Sequence, residues 1–169
     1  MTLNDVIAFV DLAEAATISV VIDGGWGVDA LLGRQTRPHR DLDIAVEHRH
    51  VPALRSLLAE RGFVELAGPD LKPWNFVMGD PAGHLIDVHS YTFDENGQLV
   101  YGIAYPLESL TGTGTLGARS VRCITPEHAV RFHTGYDVDA DDFADVSALC
   151  EKFSIELPAD YSPFTSTRS

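Results

Sequence analysis

Apolar and polar positions near the amino terminus alternate at the spacing of a helix. Within residues 3–16 the apolar positions recur three or four apart, at Leu3, Val6, Ile7, Val10 and Ala13. A helix places residues at this spacing on one face, so the pattern predicts an amphipathic first helix. The β-branched run 18–22 follows it and predicts a short strand.

A pair of glycines ends the predicted strand. Gly24 and Gly25 release the backbone from ordinary steric limits, so they predict a turn. Apolar positions resume over residues 28–32, where we predict a short helix. The polar stretch 34–40 predicts a loop, because Pro38 has no amide hydrogen and biases the residue before it away from helix.

The next segment, residues 41–46, alternates in the way of a half-buried strand. One face takes three apolar side chains, those of Leu42, Ile44 and Val46. The other face takes Asp41 and Asp43, because successive strand residues point to opposite sides. The strand is therefore predicted to carry two carboxylates together.

The second half of the chain predicts further helices and strands. In order, these are a helix over 51–61, strands over 75–78 and 85–91 around a turn at 80–83, a hairpin turn at 95–97, a helix that begins at Pro126, and a last helix over 140–153. Together they predict an α+β fold in which helices flank a mixed β-sheet. We expect one domain over residues 1–157 and a frayed C-terminal tail over 158–169.

Composition narrows the classes of partner. Of the 169 residues, 45% are hydrophobic, which suffices for one buried core. The chain has 12 Lys and Arg against 25 Asp and Glu, a net charge of −13. Because this charge repels a phosphate backbone and attracts cations, we expect no nucleic-acid partner and favour a cationic small molecule.

The sequence does not indicate membrane or disulfide chemistry. No apolar run reaches the roughly 18–20 residues of a spanning helix, and the chain does not begin with a basic segment followed by an apolar one. We therefore expect a soluble, cytoplasmic protein without a membrane partner. Cys123 and Cys150 lie among apolar neighbours and are expected to be buried thiols.

The acidic pair Asp41 and Asp43 is a candidate metal site. Two carboxylates two residues apart on a strand project from one side, about 6–7 Å apart along the chain, so they can share hard cations such as Mg²⁺. The alternative is that both are solvated charges on an exposed sheet face. The glycine turn and basic loop before them favour the metal site, since they can place a phosphate beside it.

The glycine turn is a candidate phosphate site. Free backbone N–H groups at the start of a helix carry partial positive charge, so Gly24 and Gly25 could meet a triphosphate, although such a pair is also common in plain turns. Trp26 could stack on a ligand ring or belong to the core. The basic residues of loop 34–40 are either phosphate contacts or solvated charges, and Arg40, beside the acidic pair, is the preferred contact.

Asp87 is a candidate third carboxylate. It interrupts the apolar strand 85–91, where an unpaired carboxylate is costly unless it binds a partner or a metal. A hydroxyl nucleophile loses a proton during phosphoryl transfer, and a third carboxylate could accept it. The alternative is that Asp87 simply pairs with His89.

Five segments of the chain together resemble a known family. They are Asp23–Asp29 (DGGWGVD), His39–Ile44 (HRDLDI), Leu85–His89 (LIDVH), Val121–Ile124 (VRCI) and Phe132–Tyr136 (FHTGY). In order and spacing they resemble the lincosamide nucleotidyltransferases and the aminoglycoside adenylyltransferases of the polymerase-beta-like superfamily. The resemblance extends to about residue 150.

The resemblance implies a polymerase-beta-like fold and a reaction. Asp41 and Asp43 match the metal-binding pair, Gly24 and Gly25 the turn that holds the triphosphate, and Asp87 a third acidic position that is a metal ligand, the general base or both. The implied cofactor is Mg²⁺ and the co-substrate ATP or another NTP. The implied enzyme transfers a nucleoside monophosphate to a hydroxyl of a small cationic or polyhydroxylated molecule, a lincosamide- or aminoglycoside-like antibiotic, and releases pyrophosphate.

The acceptor is the least constrained part of this expectation. The chain departs from the family between residues 67 and 83 and between 101 and 117, segments that could line the acceptor site. Two alternatives stay open, an enzyme that modifies a protein and a non-catalytic nucleotide-binding module, and the three acidic positions argue against the second. His133 and Tyr136 could contact substrate or pack the C-terminal helices, and a homodimer could complete the pocket.

Overall fold

The elements form around one mixed sheet in a computed structural model that describes residues 1–68 and 71–165. The strands are β1 Val20–Ile22, β2 Asp41–Glu47, β3 Val64–Glu65, β4 Asn75–Gly79, β5 Leu85–Phe93, β6 Leu99–Gly102, β7 Gly112–Leu116 and β8 Arg119–Cys123. The helices are α1 Leu3–Ala15, α2 Gly24–Leu32, α3 Val51–Ala59, α4 Pro126–Phe132, α5 Ala140–Phe153 and α6 Ser162–Thr165. None of these described helices is long and apolar enough to cross a membrane.

The sheet combines parallel and antiparallel neighbours. Its strand order is β3-β4-β5-β2-β1-β8-β7, and β6 pairs with β5 outside this path. Strands β2 and β5 run parallel, as do β1 and β8, and the other pairs are antiparallel. The prediction of an α+β fold with a mixed sheet and flanking helices is confirmed.

The two faces of the central strands have different roles. On β2 the predicted apolar set, Leu42, Ile44 and Val46, is fully buried. On the same side of β5, Ile86 contributes to a groove with Phe9 of α1 and Leu58 of α3. The opposite side carries Asp43, which lies against the start of α2. Helices α1 and α3 therefore close the apolar face and leave polar side chains beneath α2.

Helix α2 begins earlier than the sequence predicted. It starts at Gly24 rather than residue 28, because Asp23 occupies the N-cap position and its Oδ1 accepts a hydrogen bond from the Gly24 amide at 2.8 Å. The glycine pair is therefore the first turn of the helix itself. The helix ends at Gly33, whose left-handed backbone (φ 74°) suits glycine.

A buried polar network anchors the loop before β2. The carboxylate of Asp29, fully buried on α2, accepts hydrogen bonds from the amide and hydroxyl of Thr36 and lies 2.6 Å from His39 Nε2. Arg37 donates two hydrogen bonds to Asp145 Oδ2, at 3.2 and 2.8 Å. These contacts tie the loop to α2 and α5, so Asp29 has a structural role.

Residues 159–165 are ordered against the core rather than frayed. Tyr161 is fully buried, its ring lies near those of Phe143 and Phe164, and its hydroxyl donates to the carbonyl of His133. The expectation of a frayed tail is wrong over this range, because a buried aromatic side chain holds it. The domain boundary at 157 stays a prediction, and residues 166–169 lie outside the described part of the chain.

Replacing Tyr161 tests this packing. Tyr161→Ala should lower the free energy of unfolding by about 3 kcal/mol, because a large buried side chain leaves a cavity. Tyr161→Phe keeps the ring and should cost only about 1 kcal/mol for the lost hydrogen bond. Urea unfolding followed by circular dichroism measures both. An unchanged midpoint for Tyr161→Ala would show that this segment does not pack on the core.

Candidate active site

Three carboxylates lie in a row across neighbouring strands. Asp43 of β2 is the register partner of Asp87 on the parallel strand β5. On the other side of β2, the Asp23 amide donates to the Asp43 carbonyl at 2.9 Å, which extends the β1–β2 pairing by one residue. Register partners lie about 5 Å apart and share a face of the sheet, so Asp43 is flanked by like charges.

The central carboxylate has a strongly shifted pKa. Burial raises the pKa of Asp43 to about 7, the negative charges of Asp41, Asp23 and Asp87 add to the rise, and His89 opposes it. Burial and like charges both disfavour the ionised form. A bound cation would supply the missing opposite charge.

The residues present fit a divalent cation. Asp43, Asp87 and His89 each offer one ligand atom, and these atoms lie within 4.8 Å of one another. Asp87 Oδ1 is buried without a hydrogen-bond partner among the described residues, and its ionic neighbour, His89 Nε2, is 3.4 Å away. A buried oxygen that lacks a partner is what a cation would satisfy.

The structure brings together two of the three predicted acidic residues and adds a histidine. Asp41 lies two residues before Asp43 and pairs with Leu85, so it flanks the group without belonging to it. Its charge contributes to the raised pKa of Asp43. Asp41 as a metal ligand therefore stays a prediction, and His89 takes the third position of the compact group.

The two glycines are required by the closeness of this group to α2. Gly24 has φ 55°, and a Cβ there would lie 2.1 Å from Asp43 Oδ2. A Cβ on Gly25 would lie 2.3 Å from His39 Nδ1. Glycine therefore lets the amino-terminal end of α2, which carries partial positive charge, approach the acidic row closely.

Trp26 and Arg40, the other predicted nucleotide contacts, have different environments. Trp26 is 1% exposed and its ring lies 4.9 Å from that of His39, which favours the core over ligand stacking. Arg40 is exposed and forms no ion pair within the described residues, so it can still reach an anion. Arg37 and His39, also basic members of the loop, are already engaged by carboxylates.

A cavity of about 390 Å³ opens beside the acidic row. Its lining includes Ile103, Ala104 and Tyr105, so part of the segment 101–117 borders this cavity. No residue of the segment 67–83 that the structure describes is in this lining; residues 69–70 of that segment lie outside the described part. That either segment lines an acceptor site stays a prediction.

His133 and Tyr136 also line this cavity while holding the C-terminal helices. His133 Nδ1 lies 2.7 Å from the carbonyl of Ala129, and the Tyr136 hydroxyl donates to Asp142. Tyr136 is 49% exposed, so it forms the rim. The two roles that the sequence left open are therefore compatible.

Sequence reasoning missed Asp23 and Tyr105. The Tyr105 hydroxyl donates to Asp23 Oδ2 at 2.7 Å, and both residues line the cavity. Asp23 had a local signal, because an aspartate directly before a helix start is a common N-cap. Tyr105 had none, because its partner is far away in the chain.

The fold and this arrangement define a nucleotidyltransferase. The family model of the aminoglycoside-2''-adenylyltransferases matches residues 5–149, and the chain belongs to that family. The family prediction made from the sequence is confirmed.

Individual relatives agree with this assignment. A lincosamide resistance protein of Staphylococcus haemolyticus is 28% identical over 155 residues, covering 88% of this chain and 94% of that protein. The crystal structure of the lincosamide antibiotic adenylyltransferase LnuA, with lincomycin bound, has a TM-score of 0.77 at 25% identity and covers 92% of this chain and 99% of LnuA. ANT(2'')-Ia, in complex with adenylyl-2''-tobramycin, has a TM-score of 0.75 at 18% identity, covers 99% of this chain and 98% of that one, and supports the fold alone.

Gly24→Ala tests the close approach of α2 to Asp43. The new Cβ must displace the Asp43 carboxylate, so we expect turnover to fall by about 100-fold or more. Gly83→Ala is the matched control, because Gly83 also has a positive φ (87°) but a Cβ added there would meet nothing within 4 Å. Both variants should lose some thermal stability, and only Gly24→Ala should lose activity. Equal activities would contradict the contact.

Asp43→Asn tests the electrostatics of the row in chelator-treated protein. The folded pKa of Asp43 is above its unfolded value of 3.8, so the folded state keeps a proton that the unfolded state releases between about pH 4 and pH 7. The wild type should therefore lose stability over this range. The variant should be more stable at pH 7.5, by up to about 4 kcal/mol at about 1.4 kcal/mol for each of roughly 3 pKa units, and equal to the wild type near pH 4.

Urea unfolding across this pH range measures the difference between the two proteins. Asp137→Asn, the same charge change at an exposed position, is the control and should show no such divergence. Parallel pH profiles for wild type and Asp43→Asn would rule out the raised pKa.

Proposed function

We propose that this enzyme transfers AMP from ATP to a hydroxyl of an amphiphilic, lincosamide-like antibiotic and releases pyrophosphate. The observation that carries the proposal is the pairing of Asp43 with Asp87 on adjacent parallel strands, against the glycine start of α2. This arrangement offers a cation site and a phosphate site side by side.

Each residue has a role in positioning the nucleotide. Asp43 and Asp87 would hold Mg²⁺, with Asp41 as a flanking charge, and such an ion would supply positive charge for the triphosphate. The Gly24 amide already donates to Asp23, so the N–H of Gly25 beside it is the proposed contact for a phosphate oxygen. Arg40, exposed and unpaired in the described structure, adds positive charge at the entry.

Asp87 is also the proposed base for the acceptor hydroxyl. A carboxylate has two oxygens, and only Oδ1 of Asp87 is buried without a partner and directed into the cation group. The side chain is 28% exposed, so the other oxygen can meet a proton that the hydroxyl releases during attack. One residue can then serve as ligand and base.

The cavity favours an acceptor with an apolar face. Its lining has two carboxylates, those of Asp23 and Asp43. Asp23 accepts hydrogen bonds from Gly24 and Tyr105, and Asp43 belongs to the cation group, which consists of Asp43, Asp87 and His89. The rest of the lining contains apolar and aromatic residues, among them Ile103 and Phe132. A polycationic aminoglycoside would need several free carboxylates, whereas a molecule with one amine and an apolar body would bury against this wall.

The relatives support this choice. LnuA, which is 25% identical over nearly its whole length, has lincomycin bound in its crystal structure. A homodimer that completes the open side of the cavity, near Tyr136, stays part of the proposal.

An acceptor panel tests the proposed function. With labelled ATP and Mg²⁺, lincomycin should become labelled with a kcat/KM at least about 10-fold above that for tobramycin, because one unmatched amine costs more than about 1.4 kcal/mol. Preferential labelling of tobramycin would contradict the acceptor class. Label on a protein, or tight ATP binding without turnover, would contradict transfer to a small molecule.

Asp87→Asn is the matched variant in this assay. It keeps the size of the side chain and should lose turnover by about 100-fold or more while ATP affinity is largely kept, because the base is lost. A parallel loss of affinity and turnover would show that Asp87 acts chiefly as a metal ligand.

A further inference from the structure

A chain of hydrogen bonds runs from His89, beside Asp43 and Asp87, through Tyr105 to Asp23 at the start of α2. His89 Nδ1 lies 3.0 Å from the Tyr105 hydroxyl, which lies 2.7 Å from Asp23 Oδ2. The other oxygen of Asp23 accepts the Gly24 amide. The Nδ1 of His89 is therefore held by Tyr105, and Asp23 in turn holds the Tyr105 hydroxyl.

The direction of these bonds sets the tautomer of His89. The Tyr105 hydroxyl has one hydrogen and donates it to the Asp23 carboxylate, so its oxygen accepts from His89 Nδ1–H. In the neutral imidazole this leaves the lone pair on Nε2. Nε2 faces Asp87 Oδ1 at 3.4 Å and belongs to the compact group with Asp43.

Packing keeps the His89 ring in this orientation. Tyr105 is 5% exposed, and its ring lies 5.6 Å from that of Phe132 and 6.2 Å from that of Tyr91. Few rearrangements are open to this imidazole without breaking the chain to Asp23.

We propose that His89 Nε2 is a direct nitrogen ligand of the cation held by Asp43 and Asp87, and that Tyr105 is the positioning residue that orients it. A histidine that ligates a metal almost always donates its other ring N–H to a polar partner, and the bond to Tyr105 has this form. The inference rests on the proposed function only in taking a divalent cation to bind here.

A nitrogen ligand changes which cations the site prefers. Carboxylates alone suit Mg²⁺, whereas imidazole strengthens the binding of transition metals. The site should therefore bind Mn²⁺ more tightly than Mg²⁺ even without nucleotide. If His89 only forms an ion pair with Asp87, the imidazole stays outside the coordination sphere.

Pulsed EPR of Mn²⁺ bound to the full chain distinguishes these cases without using activity. Coordinated imidazole gives a ¹⁴N coupling in the electron spin echo modulation of Mn²⁺. We expect this coupling in the wild type and in Tyr105→Phe, and its loss in His89→Gln. Mn²⁺ affinity, from the free-ion EPR signal, should fall about 10-fold or more in both variants.

His84→Gln is the matched control. His84 also lies between two carboxylates, with Nδ1 2.8 Å from Asp80 and Nε2 3.6 Å from Asp5, but it is outside the cation group. The control should keep both the coupling and the affinity. If the coupling disappears in this variant instead, the nitrogen belongs to His84 and the proposal is wrong.

Two further results would overturn the inference. One is Mn²⁺ bound by wild type without ¹⁴N coupling, and the other is no binding at millimolar Mn²⁺. Both are separable from the proposed function. If the protein adenylylates lincomycin but its Mn²⁺ shows no ¹⁴N coupling, the proposed function holds and His89 is not a ligand. If Mn²⁺ shows the coupling but the protein modifies no small molecule, His89 is a ligand and the proposed function is wrong.

Discussion

Mutual repulsion among carboxylates on one sheet face is the constraint on which the rest of the structure depends. Asp23, Asp43 and Asp87 are neighbours because β1, β2 and β5 are adjacent, and burial raises the pKa of the central one to about 7. The fold offsets this cost with partial positive charge at the start of α2 and with the imidazole of His89. In the proposed function, a bound cation would add a full positive charge to this row. The row therefore lowers the free energy of unfolding at a place where a bound cation would raise it again.

The periodic parts of the fold could be predicted from sequence because they depend on local spacing. The alternation over 41–46 identified both faces of β2, and Asp87 stood out as a charge within an apolar strand. The start of α2 could not be placed so well, because an N-cap and a turn have the same residues. Trp26 illustrates another limit of prediction. The local sequence around an aromatic residue beside a glycine turn does not tell whether its ring faces a ligand or, as here, the core. Asp43 and Asp87 meet through a parallel register that no local pattern encodes.

The site is built on two parts of the fold. The acidic row and the glycine start of α2 are built on the sheet, where neighbouring strands fix their geometry. The cavity wall beside them includes Ile103 and Tyr105 of the loop after β6 and Phe132 of α4. Loops on a rigid scaffold can change their side chains at little cost to the core.

A crystal structure with Mn²⁺ and an ATP analogue that cannot be cleaved at the α-phosphorus is the most direct test of the central claim. The account predicts an anomalous peak between Asp43 and Asp87, with phosphate oxygens at the start of α2, at the backbone amide of Gly25. A cation that does not contact Asp43 and Asp87, or a triphosphate bound away from the start of α2, would contradict it.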